Sequence, residues 1–168
     1  PVQVTSIEPA GEGSYWLGLS HSGARHWQPS SNRFKLYPYG QEEAFTDKVR
    51  VIGGKAFAFT DKGIFTGTGT SGSFRSWQEG TGLFRNTDFR DGLMDRKGRL
   101  WIASLNEGLK VFDPATNREL HLWAPEQGRK LVHQSFIKGI RETPDGRIWV
   151  ATCSRGLFYF DEKRAVFT

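Results

Sequence analysis

Residues 100–104 read Leu100-Trp101-Ile102-Ala103-Ser104, and a glycine follows at 108. Three other stretches share the form: Tyr15-Trp16-Leu17-Gly18-Leu19 before Gly23, Lys55-Ala56-Phe57-Ala58-Phe59 before Gly63, and Ile148-Trp149-Val150-Ala151-Thr152 before Gly156. In each, the second residue stands seven positions ahead of the glycine. From glycine to glycine the steps are 40, 45 and 48 residues, a period of propeller blades or of helical repeats. The local pattern separates the two. The stretches are short, aromatic and β-branched, they alternate with small or polar residues, and Gly or Asp-Gly stands between them. That is the signature of strands. No window of a dozen residues carries a capped apolar stripe at helical spacing. The expected fold is all-β: a β-propeller of four-stranded antiparallel blades, about four in this chain. It forms one propeller segment over 1–168, with blades near 1–39, 40–78, 79–124 and 125–168.

The strands, A to D, can be placed within each unit. In the fourth, A covers 136–143, B 147–152, C 156–161 and D 165–168. Between A and B, Pro144 presets the first corner of a turn and Gly146 supplies the positive φ that closes it. The third unit places A at 88–94, B at 99–104, C at 108–112 and D at 119–123, with turns at 95–98 and 113–117. The first places them at 2–7, 15–19, 24–27 and 34–37, the second at 49–52, 55–59, 64–66 and 74–77. Strand B is the most apolar and carries Trp in three of four units, as expected of a strand covered on both faces by neighbouring blades.

Composition narrows the function classes. The chain has 168 residues, with 23 Lys and Arg against 18 Asp and Glu, a net charge of +5. Six Trp and 13 Phe are ample for a core, which excludes a disordered chain. No run approaches the ~18 apolar residues of a membrane span. A single Cys excludes an internal disulfide and a Cys-based zinc site. The chain begins at Pro1 with neither a basic nor an apolar leader, so it is expected to be a mature chain or an excised piece. Its basic residues are scattered. The densest groups are Arg96, Lys97 and Arg99; Arg129 and Lys130; Lys163 and Arg164. Phosphate-tracking surfaces cluster them instead, so no nucleic-acid partner is expected, and the excess charge suits anionic ligands or solubility.

Asp95-Arg96-Lys97-Gly98-Arg99-Leu100-Trp101-Ile102-Ala103-Ser104, then Gly108-Leu109 and Phe112-Asp113, resembles the two-component regulator propeller repeat. So does Pro144-Asp145-Gly146-Arg147-Ile148-Trp149-Val150-Ala151-Thr152, then Gly156-Leu157 and Tyr159-Phe160-Asp161. The family pattern is Asp-x-x-Gly-x-Leu-Trp-Ile-Gly-Thr closed by Gly-Leu and an aromatic-Asp pair. Unit one keeps Trp16-Leu17-Gly18-Leu19 but has Ala24 in place of Leu. Unit two lacks the Trp and the Asp-Gly turn and has Gly53-Gly54. The resemblance implies an extracytoplasmic, periplasmic sensor propeller of a bacterial hybrid histidine kinase or related membrane signalling protein, some of which are diguanylate cyclases. No kinase or cyclase segment lies in this chain, so no catalysis and no cofactor are expected in it.

Family propellers usually have more than four blades. An unclosed arc would leave two bare blade faces. At ~400 Å² of apolar surface each, the lost burial is ~10 kcal/mol per face, which rivals the ~5–15 kcal/mol stability of a domain. Further blades, pairing of chains or closure of four blades would relieve it. Self-association to cover the faces is therefore expected where no further blade does so.

Propeller topology puts the B–C loops and the D–A crossings on one rim, and the A–B and C–D turns on the other. The A–B turns are tight and repetitive. The first rim carries variation in Ser20-His21-Ser22, Thr60-Asp61-Lys62, Leu105-Asn106-Glu107 and Cys153-Ser154-Arg155, and in the crossings 39–45, 78–86 and 124–134. Varied polar loops on a rigid frame are where binding concentrates. The candidate ligand-binding residues are His21, Asp61, Lys62, Asn106, Glu107 and Arg155, or else these are solvated turns. The expected partner is a small-molecule or oligosaccharide signal. A protein-binding scaffold, or a propeller lyase or hydrolase, is the alternative.

Other motifs weigh less. Gly67-Thr68-Gly69-Thr70-Ser71-Gly72 matches G-x-G-x-x-G, but a strand-like Ser73-Phe74-Arg75-Ser76-Trp77 follows where a helix must receive the pyrophosphate. Thr60-Asp61-Lys62-Gly63 resembles the Asp-box of sialidase-like propellers, a turn former. No carboxylate pair for glycoside hydrolysis can be singled out. His21, His26, His121 and His133 lack metal-ligand spacing, so no metal is expected. Cys153 beside Arg155 reads as an inert thiol or an activated one. Trp27, Trp77 and Trp123 read as packing or as sugar platforms.

Overall fold

A computed structural model describes residues 2–40, 43–69, 72–77, 87–124 and 136–168. They form four antiparallel four-stranded sheets. The first contains β1 (Val4–Gly11), β2 (Ser14–Leu19), β3 (Ala24–Gln28) and β4 (Arg33–Tyr37). The second contains β5 (Thr46–Ile52), β6 (Lys55–Thr60), β7 (Gly63–Gly67) and β8 (Arg75–Ser76). The third contains β9 (Phe89–Met94), β10 (Leu100–Ser104), β11 (Gly108–Asp113) and β12 (Arg118–Glu119), and the fourth β13 (Ile137–Glu142), β14 (Ile148–Thr152), β15 (Leu157–Asp161) and β16 (Val166–Phe167). Each sheet runs in sequence order, so A and D are its edges. Among the described residues the only helical piece is the 3₁₀ turn Pro29–Ser31. The all-β blade architecture expected from the repeat is therefore present. No helix among the described residues is long and apolar enough to cross a membrane.

The chain divides into two compact units, 1–89 with the first two blades and 90–168 with the last two. The core of the first gathers Trp16, Ala24, Tyr37, Tyr39, Val49, Ala58, Phe65 and Phe74. That of the second gathers Trp101, Leu109, Val111, Ile137, Ile140, Val150, Phe160 and Phe167. Strand B is almost wholly buried in the first three blades. In the fourth, Trp149 and Ala151 are only half-buried.

The repeat's Asp has a physical reason in blade three. The carboxylate of Asp95 folds back over its own turn. Its Oδ1 accepts from the amides of Lys97 and Arg99, both at 2.9 Å. Its Oδ2 accepts from Arg99 Nε at 2.7 Å and from the indole Nε1 of Trp101 at 2.8 Å. One side chain thus closes the A–B turn and gives the buried Trp its only polar requirement. In blade four the same turn backbone recurs: Thr143 N donates to Arg147 O at 3.0 Å, as Asp95 N donates to Arg99 O at 2.9 Å. Gly146 (φ 84°) stands at the position of Gly98 (φ 76°). Thr143 therefore occupies the place of Asp95. Asp145 sits two residues on and accepts from the Thr143 hydroxyl at 2.5 Å instead. The Asp of an aromatic-Asp pair opens the C–D turn. Asp113 accepts from Ala115 N at 2.9 Å, and Asp161 from Lys163 N at 3.0 Å.

Three D strands are two residues long, shorter than expected. Side chains placed in them instead pack beside the sheet. Phe74 is buried edge-on to Trp16 at 5.4 Å. Trp123 lies against Trp101, Phe160 and Phe167 at 5.1–6.1 Å. Trp77 meets Phe57 at 5.5 Å. All three serve packing.

Adjacent blades within a unit are linked at strand A. In the first unit Ser6 Oγ accepts from Val49 N at 3.0 Å, and Glu8 pairs with Arg50 at 3.1 Å. In the second, Asp91 Oδ2 accepts from Ile140 N at 3.1 Å and faces Arg141 at 3.4 Å. These side chains satisfy amides that the edge strand cannot pair within its own sheet. On the opposite rim Arg96 holds Glu142 at 2.7 Å, and Glu162 takes Lys97 at 2.6 Å and Arg99 at 2.7 Å.

Candidate functional site

The B–C loops are built on one device. Strand B ends on a hydroxyl, which donates to the glycine carbonyl opening strand C and accepts an amide from within the loop. Thr60 donates to Gly63 O at 2.8 Å and accepts from Lys62 N at 3.1 Å. Thr152 donates to Gly156 O at 3.0 Å and accepts from Arg155 N at 3.1 Å. Ser104 Oγ accepts from Glu107 N at 2.9 Å and reaches Gly108 O at 3.4 Å. In the first blade Ser20 turns the other way and accepts from Gln3 N at 3.0 Å. There the loop closes on Gly23 (φ 95°), where a Cβ would stand 2.3 Å from Tyr37 O. Each of these loops is therefore tied down by hydrogen bonds of its own side chains.

In the first unit the structure brings His21 and Asp61 together around Phe45, a residue of the crossing 39–45. Asp61 clamps the Phe45 backbone: its Oδ1 accepts from Phe45 N at 2.8 Å, and its own amide donates to Phe45 O at 3.1 Å. The Phe45 ring is 36% exposed and stands edge-on to the exposed His21 ring, 6.2 Å between centroids. Lys62 is exposed on the same loop. Asp61 thus acts first as a positioning residue. Behind it, Tyr39 is buried with its hydroxyl 2.6 Å from Thr46 Oγ1, and burial holds its pKa well above the usual phenol value.

In the second unit Asn106 and Glu107 are exposed, and Glu107 pairs with Lys110 at 2.6 Å. Arg155 and Cys153 are exposed on the fourth B–C loop. Cys153 N donates to Phe136 O at 2.9 Å, the counterpart of the Asp61–Phe45 contact, and Phe136 is 54% exposed. Exposed phenylalanines just ahead of strand A are rim features that the choice of polar loop residues missed. The sequence signal was an aromatic residue outside the inward-facing alternation of the strand that follows. The crossing 78–86 and residues 125–134 lie outside the described residues, as do Thr70 and Ser71 of the glycine-rich stretch, the pair Arg129 and Lys130, and His133.

Both candidate carboxylates of the rim already have partners, Asp61 the Phe45 amide and Glu107 the Lys110 ammonium. In the first unit Lys62 brings positive charge and Phe45 apolar area; in the second Arg155 and Phe136 do the same. Each pair supplies groups that can stack on a flat ligand and hold an anionic group. Among the described residues no three His, Cys, Asp or Glu side chains are grouped to hold a metal ion.

Residues 131–154 match the family model of the two component regulator propeller. No curated protein matches the chain. Its fold is similar to the extracellular domain described as that of a hybrid two component system, BT3049, from B. thetaiotaomicron, with TM-score 0.72 and 18% identity over 99% of this chain and 21% of that one. It is also similar to the extracellular domain of BT4673 from the same organism, described as a one component system (0.71, 18%, 92% and 21%). Virginiamycin B lyase from Staphylococcus aureus has the same fold at 12% identity (0.69, 100% and 58%). The chain spans about a fifth of the length of these two extracellular domains. Residues 131–154 are thus similar to a two-component regulator propeller repeat, in a chain whose described residues form four-stranded propeller-type blades.

Proposed function

We propose that this chain is the non-catalytic, ligand-sensing propeller segment of a bacterial two-component signalling receptor, on the periplasmic side of the membrane. The match of 131–154 to the two component regulator propeller carries the reading. The names of the extracellular domains similar in fold support it, and so do B–C loops held by their own hydroxyls. The ligand is a small molecule or oligosaccharide bearing an anionic group. It stacks on Phe45 and meets Lys62, while His21 and the Asp61 clamp hold the platform. Binding favours one of two receptor arrangements by differential affinity. A lyase reading draws only on the shared fold of virginiamycin B lyase.

Thermal-shift and ligand-observed NMR screening of the chain against uronic-acid oligosaccharides, neutral oligosaccharides and small dicarboxylates tests this. A saturable anionic binder that Phe45→Ala and Lys62→Ala each weaken at least tenfold is expected. Turnover of any compound, or binding indifferent to both substitutions, would contradict it.

A further inference from the structure

We propose that the outer edge of β4 is a docking site for an extended segment of another protein, one that alternates apolar and acidic residues and adds a strand to the first blade. β4 (Arg33–Tyr37) ends its sheet, and among the described residues no strand pairs with its far side. In an antiparallel edge strand every second residue turns both its N–H and its C=O away from the neighbouring strand. Such an edge is a template for a further strand. The first blade differs from the others in how much edge it offers. Its D strand has five residues, whereas β8, β12 and β16 have two each. Arg33, Phe34, Lys35 and Leu36 are exposed in succession along it.

The side chains of β4 set the chemistry of its occupant. Strand alternation puts Phe34 and Leu36 on one side, 52% and 45% exposed, and Arg33 and Lys35 on the other. Lys35 is held along the strand, its ammonium 4.8 Å from the centroid of the Tyr37 ring. Neither Arg33 nor Lys35 pairs with a carboxylate among the described residues. The basic residues of the third blade are arranged otherwise, for Arg96, Lys97 and Arg99 each hold a carboxylate at 2.6–2.7 Å. Opposite charges directly across two strands stabilise the pairing and like charges weaken it. A strand laid on this edge therefore gains from acidic residues beside Arg33 and Lys35 and from apolar ones beside Phe34 and Leu36. A second copy of the chain does not meet that requirement. Two β4 strands paired antiparallel about Lys35 set Lys35 against Lys35, and paired about Phe34 they set Arg33 against Lys35. The charges that repel a copy select an acidic partner. The site uses none of the loop residues around Phe45.

Backbone NMR and amide exchange of the labelled full chain, titrated with two short synthetic peptides, test the assignment. One peptide alternates Val and Glu, the other Val and Lys. The Val/Glu peptide is expected to bind saturably and to slow exchange of the outward amides within 33–37 at least tenfold, and the Val/Lys peptide to do neither. A variant carrying Arg33→Glu and Lys35→Glu keeps its fold, because both side chains are exposed, and is expected to reverse the preference. Val/Glu binding that survives the charge reversal, shifts confined to the loops around Phe45, or no binding of the Val/Glu peptide would overturn the proposal. So would sedimentation showing that the chain alone dimerises with the amides of 33–37 protected, which would make the occupant a second copy.

Discussion

Asp95 takes four hydrogen bonds on two oxygens, from Lys97 N, Arg99 N, Arg99 Nε and Trp101 Nε1, and its side chain is 1% exposed. Removing it strands the indole N–H and the turn amides and takes from Arg99 one of its two carboxylates, the other being Glu162, a loss of about 2–4 kcal/mol. Asp95→Ala is expected to lower stability by that amount in urea unfolding followed by Trp fluorescence. Asp95→Asn is expected to cost nearly as much, because it turns an NH₂ toward two donors. A cost under about 1 kcal/mol would contradict this role. His26 carries a pH dependence. Its ring is held by Ser14 Oγ at 3.1 Å and lies against Trp16, and burial, then the Lys35 charge, lowers its pKa below the ordinary 6.5. The unfolded chain therefore binds the proton first. The contribution of His26 is complete above pH 6.5 and is lost as pH falls through the folded value. The urea midpoint should fall on acidification below that point, and His26→Gln should flatten the fall. An unchanged profile would show that the imidazole does not set it.

Turns are the elements in which the sequence was read both best and worst. The strands were legible because burial on both faces leaves an aromatic and β-branched run that few other elements produce, as at Leu100–Ser104. The hairpin at 143–146 was legible from Pro144 and Gly146. The role of its Asp was not, because Asp145 and Asp95 both precede a turn glycine, and only the backbone bonds show that Thr143 occupies the place of Asp95. The packing of Phe74 and Trp123 outside their short D strands was equally hidden, since an edge strand ends where its partner does. Among the candidate residues, the clamp of Asp61 on Phe45 depends on a contact between loops sixteen residues apart, which no local pattern encodes. The C–D turns supply a test at this scale. Asn117 and Ala165 close equivalent turns with φ of 56° and 55°. Asn tolerates that region and Ala does not, at roughly 1 kcal/mol. Ala165→Asn should therefore raise the thermal midpoint by a few degrees. A lowered midpoint would show that the turn is not strained at this position.

At the scale of the molecule, each compact unit carries its own set of B–C loop residues: Phe45, His21, Asp61 and Lys62 in the first, Phe136, Asn106, Glu107 and Arg155 in the second. Hydrogen bonds of structural kind occur at both ends of the blades, in the A–B turn of Asp95 and in the B–C loops of Thr60, Ser104 and Thr152, whereas the Lys62 side chain takes no part in them. Stability and ligand binding should accordingly respond to different substitutions, Asp95→Ala lowering the first and Lys62→Ala the second. The central proposal is that the loops around Phe45 in the first unit are where the chain meets its signal. Backbone amide NMR of the labelled chain, titrated with a uronic-acid oligosaccharide, tests it most directly. The account predicts saturable shifts at Phe45, Asp61, Lys62 and their loop neighbours, with the amides of 95–98 and 143–146 unmoved. Shifts confined to those A–B turns, or none at saturating ligand across the anionic sugars, would contradict it.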